Sequence, residues 1–151
     1  MVAAFWDDLR TGSGGNVYTY TANEYLVIQW DNMRTHFSAV FGNNDRQTFQ
    51  MILYNNEFLN DQTITGDNEI KIQYNDFNNT SAGYYPEGGT PVHGCYATVG
   101  IENHLGNQGL QYTFNNQYSP ASMSLSDGDA IFITTGKISY TLGDINFDDT
   151  I

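Results

Sequence analysis

The residues best able to do chemistry are few and scattered along a chain of 151. His93 and Cys95 stand two apart, so on a strand they share a face, the arrangement that a thiol nucleophile and its base require. No third group accompanies them to orient the base, and Cys95 reads as a small buried hydrophobe. His36, His93 and His104 lie far apart and show no metal-ligand spacing. Asp7 and Asp8 follow Phe5-Trp6 and have the chemistry for a cation or a sugar; the simpler reading makes Trp6 core and lets the aspartates cap a turn. Gly12-Ser13-Gly14-Gly15 opens onto a strand pattern, so it lacks the helix start that phosphate binding exploits. Among 17 acidic residues, no pair is singled out for glycoside hydrolysis.

Tyrosine is the more suggestive residue type, with eleven copies. Tyr84, Tyr85 and Glu87 form a candidate ligand-binding patch, because adjacent amphipathic rings offer stacking faces to sugars or peptides. Tyr18, Tyr20, Tyr25 and Tyr74 sit in strand patterns and read as ordinary half-buried sheet residues.

The elements that must position these residues are strands. Val17 to Thr21 alternates and breaks at Ala22-Asn23 before Glu24 to Asp31, the pattern of a β-hairpin. Thr48 to Tyr54 follows a polar loop. Glu69 to Tyr74 alternates cleanly, with Ile70, Ile72 and Tyr74 on one face. Asn75 to Gly94, polar and rich in Gly with Pro86 and Pro91, reads as one extended loop, a length usually tied to function. Strands resume at Tyr96 to Glu102, Gly109 to Phe114 and Ala130 to Thr134. About seven or eight short strands without sustained helical spacing predict an all-β fold, an antiparallel β-sandwich with one long Gly/Pro-containing loop.

Composition bounds the function. With 17 acidic residues against 5 basic ones the net charge is −12, so no basic face is available for nucleic acid or for an anionic membrane surface. Solvation accounts for such a charge, and cation binding is the sharper alternative. One cysteine excludes an intrachain disulfide. No apolar run approaches the ~20 residues of a membrane span, and Met1 to Asp8 does not read as a signal peptide. Any targeting signal is expected upstream of this sequence, if there is one.

Several phrases in order resemble a known family. They are Phe5-Trp6-Asp7-Asp8-Leu9, Gly15-Asn16-Val17-Tyr18, Gln29-Trp30, Thr48 to Tyr54, Gly66 to Tyr74, Ala97 to Asn103 and Gly109 to Asn115. Together they resemble the nidogen-like β-domain of large secreted bacterial proteins. The resemblance implies a secreted or cell-surface accessory module with no catalytic residues to carry over. Relatives usually carry further strands ahead of the Phe-Trp-Asp-Asp phrase, so a sheet edge is expected to be open to a strand-completing partner chain. At the other end, Gly143 to Ile151 resembles the opening of a dockerin-type calcium loop. That likeness implies Asp144, Asn146 and Asp148 as oxygen ligands for calcium, although the distal acidic ligand is missing.

The expected organisation is therefore a sandwich domain over residues 1–140, then a truncated dockerin-like segment or tail over 141–151. The expected function is a non-catalytic adhesion or scaffolding module whose partner is a protein or polysaccharide at the cell surface. The alternative is a carbohydrate-binding module, calcium-assisted through the tail.

Overall fold

The computed structural model describes residues 1–12, 14–36, 45–59, 63–80 and 96–136. Among them the chain forms ten strands and one helical turn. In order these are β1 (Val2–Trp6), β2 (Leu9–Arg10), β3 (Asn16–Thr21), β4 (Tyr25–Thr35), β5 (Gln47–Tyr54), α1 (Asn56–Leu59), β6 (Ile70–Asp76), β7 (Thr98–Glu102), β8 (Gly109–Phe114), β9 (Gln117–Tyr118) and β10 (Ala130–Ile133). All pairings are antiparallel and fall into two sheets, the expected all-β sandwich. The smaller sheet runs β1-β7-β8-β9. The larger runs β10-β6-β5-β4, and β4 carries both β2 and β3 on its far side.

β4 can serve two partners because it is long and kinked. Its pairing with β5 shifts register between Trp30 and Met33, and Asn32 there has a φ of 54°. Asn tolerates that left-handed conformation, which is what a bulge requires. Before the bulge β4 pairs with β3; beyond it, Thr35 and Arg34 pair with Leu9 and Arg10.

Alternation along the central strands separates two faces. On the inner face of the larger sheet, Trp30, Phe49 and Tyr74 form one cross-strand row, and Ile28, Met51, Ile72 and Ile131 form the next. Phe5 of β1 stacks on Phe49 with centroids 5.7 Å apart and meets Phe77 edge-on at 5.6 Å. Ala4 and Val99 of the smaller sheet, with Ala97 just ahead of β7, close the core. Ile72 and Val99 are sealed from solvent, and each such side chain contributes roughly 1.5–3 kcal/mol. The sheets are also joined by one buried hydrogen bond, from the Tyr74 hydroxyl to the Ala4 carbonyl at 2.7 Å.

Strands of the smaller sheet approach closely at two glycines. A Cβ on Gly100 would lie 2.5 Å from the Leu110 carbonyl oxygen, and one on Gly109 would lie 2.6 Å from that of Ile101. Any side chain at either position would force these strands apart.

Three sequence expectations change. The extended loop does not start at Asn75: β6 continues to Asp76, and Phe77 is buried in the core. Asn78 is gripped by Gln47, whose amide donates to the Asn78 carbonyl and accepts from the Asn78 N–H, both at 2.7 Å. Strand β1 is added to the expected strands; its pattern is three buried residues in a row with a register shift rather than the alternation that marks a strand in sequence. The short β9 is a further addition. It returns from β8 through Asn115-Asn116, both at positive φ, the two-residue hairpin turn in which Asn is favoured.

Candidate functional site

The residues singled out from the sequence fall into two groups. Tyr84, Tyr85, Glu87, His93 and Cys95 lie outside the described residues, as do Asp144, Asn146 and Asp148. Among the described residues, no group of three or more His, Cys, Asp or Glu side chains is placed to hold a metal ion.

Asp7 and Asp8 do form a turn. The Asp7 side chain accepts the Asp8 N–H at 2.7 Å, and the Asp7 carbonyl accepts the Leu9 N–H at 2.9 Å. Asp8 also faces His36, with Nδ1 to Oδ2 at 3.7 Å, and both side chains are well exposed. A pair so open to water contributes little to stability. Trp6, expected in the core, is instead 58 % exposed; Phe5 holds the core position that its neighbour was assigned. Trp6, the last residue of β1, turns outward where Phe5 faces the core.

The tyrosines divide in a way the sequence did not show. Tyr74 is fully buried, and that burial pushes its phenol above the usual tyrosine range, reinforced by Tyr118 and Tyr112. Its hydroxyl has a partner in the Ala4 carbonyl, so its role is to hold the sheets together. Tyr18 and Tyr20, read as half-buried, are 53 % and 61 % exposed.

Their exposure belongs to the whole of β3. All six residues of Asn16–Thr21 are exposed, and the strand pairs only with β4 among the described residues. Val17 is exposed although it lies on the inner side beside Trp30. The strand carries no charge, no proline and no bulge, three of the devices that blunt a sheet edge.

The outer face of the larger sheet continues from β3. The register sets Tyr18, Gln29, Gln50, Gln73 and Ala130 in one row across five strands. The three glutamines form a ladder: Gln73 donates to the Gln50 side-chain oxygen at 2.7 Å, and Gln50 donates to that of Gln29 at 2.6 Å. An open groove of about 400 Å³ lies along this ladder, with Thr48 and Asn75 also on its wall. The next row is Tyr20, Val27, Ile52, Lys71 and Phe132. Tyr20 packs against Tyr25 at 6.2 Å, and Tyr54 meets Phe132 edge-on at 6.3 Å. Alternating Gln and Tyr positions along β3 to β6 were visible in the sequence; which face stays uncovered was not.

The class of protein so defined is a two-sheet antiparallel sandwich whose larger sheet ends in a strand, β3, exposed along its whole length. Residues 1–138 match the family described as NIDO related, and the chain belongs to that family. A nidogen-related domain of this kind points to an extracellular module. Comparison with curated proteins and with solved structures gives no match. No described helix is long and apolar enough to cross a membrane.

Proposed function

We propose that this domain is a non-catalytic docking module of an extracellular protein, and that it binds an extended segment of another polypeptide along β3. The observation that carries this reading is a six-residue edge strand exposed along its whole length. A strand added there completes the open backbone hydrogen bonds, which supplies affinity. Its side chains alternate between the two faces and so meet different surfaces. One set packs beside Val17 and the uncovered inner shelf; the other extends the row headed by Tyr20. Adhesion or scaffolding is the natural use of such an edge.

The sequence leads to the expectation of an open sheet edge without saying which strand forms it. β1 does end its sheet, but Ala3, Ala4 and Phe5 are buried, whereas β3 is open. The reading therefore rests on β3.

Panning a library of extended segments from secreted proteins against the domain tests it. Binders are expected to slow hydrogen exchange at the amides of Asn16–Thr21 and to be lost in Thr19→Lys, since a lysine on an edge opposes strand addition. Binders that leave those amides unprotected would sink the reading.

A further inference from the structure

The outer face of the larger sheet has features that strand addition does not use. Its floor is the ladder Gln73 to Gln50 to Gln29, bounded by exposed rings at Tyr18 and Tyr20 on one side and Phe132 on the other. We propose that this face is a binding platform for a neutral, extended, β-linked polysaccharide.

Three properties select that ligand. The first is charge: the two rows that make the platform carry a single charged side chain, Lys71, on a protein of net charge −12. A neutral chain meets no repulsion there, whereas a second copy of this protein or an anionic polymer does. The second is hydrogen bonding. Each ladder amide spends one donor, one acceptor or both on its neighbours, which leaves donors and acceptors facing outward together. Sugar hydroxyls both donate and accept, so they satisfy such a mixed surface; an apolar protein face would leave it unpaired at a cost.

The third property is shape. Exposed rings stack on the C–H faces of pyranose units, because an aromatic ring offers a flat, apolar body. Ladder partners repeat at the strand spacing of about 4.8 Å, close to the length that one pyranose unit adds to an extended glycan. A flat ribbon can thus lie across β3 to β10 with successive units above successive strands. No carboxylate cluster takes part, so the binding requires no calcium.

The test is affinity electrophoresis of the whole chain in gels containing soluble β-linked glucan, xylan or mannan, with an anionic polysaccharide as comparison. Retardation by at least one neutral glycan is expected, unchanged by chelator and absent with the anionic one. Tyr20→Ala and Gln50→Ala are each expected to weaken binding about tenfold, with melting temperature recorded to confirm folding. Gln73→Ala, farther still from β3, serves in place of Gln50→Ala should the latter fail to fold. Gln50 lies two strands in from the edge, so loss in Gln50→Ala separates the platform from strand addition at β3. Absence of retardation in every neutral glycan, abolition by chelator, or binding undisturbed in the folded variants would overturn the proposal.

Discussion

β1 and β3 each stand at the end of a sheet, yet they are opposite in kind. Ala4 in the middle of β1 is 4 % exposed and Phe5 beside it stacks into the aromatic core, whereas every residue of β3 is exposed. A terminal place in the strand order is thus a statement about pairing, not about access. β1 is pressed against β5 of the opposite sheet, and the Tyr74 hydroxyl ties it down. β3 pairs, among the described residues, only with β4. Burial of side chains stabilises the first edge, and the lack of it leaves the second free to bind.

Breaking the β1 side should produce the largest effect. Phe5→Ala removes a ring that contacts Phe49 and Phe77, and is expected to cost roughly 3–5 kcal/mol in urea unfolding. A loss below about 1 kcal/mol would mean that β1 is not integral to the core.

Tyr74→Phe sharpens the same side with a smaller effect. It deletes the bond to the Ala4 carbonyl and is expected to cost about 1 kcal/mol near neutral pH. Burial holds the phenol protonated in the fold, with its pKa raised above the unfolded value. Its contribution is therefore complete below the ordinary tyrosine pKa of about 10 and declines as pH rises beyond it. Unfolding curves across that range should converge for the parent and Tyr74→Phe at alkaline pH; parallel curves would remove the phenol from the account.

The β3 side should show the smallest effect on stability. Thr19→Lys lies on a fully exposed strand, and its unfolding free energy is expected to stay within about 0.5 kcal/mol of the parent. A clear destabilisation would show that β3 is as integral as β1, and the contrast between the two edges would collapse.

Much of the scaffold was legible. The alternation in Ile70 to Tyr74 located the core face of β6, and Val17 to Asp31 reads as the hairpin it forms. What was missed has local reasons. Ala3-Ala4-Phe5 does not alternate because its strand is bulged and buried, and two-residue strands such as β2 and β9 are too short to show a period. Asn115-Asn116 was the available signal for β9. The candidate surface was hardly legible at all. Gln29, Gln50 and Gln73 are far apart in sequence, and only the strand register brings them into one ladder.

By itself, then, the sequence determined an all-β chain, its central strands and which side chains share a face, because those follow from backbone periodicity within each segment. Tertiary structure alone decided which face is covered, which terminal strand is closed and which rings reach solvent. Tyr18, Tyr20 and Tyr74 sit in similar strand patterns, and their opposite fates depend on the face each takes in the assembled sheet, Tyr74 inward on the core and Tyr18 and Tyr20 outward, a property of no single segment.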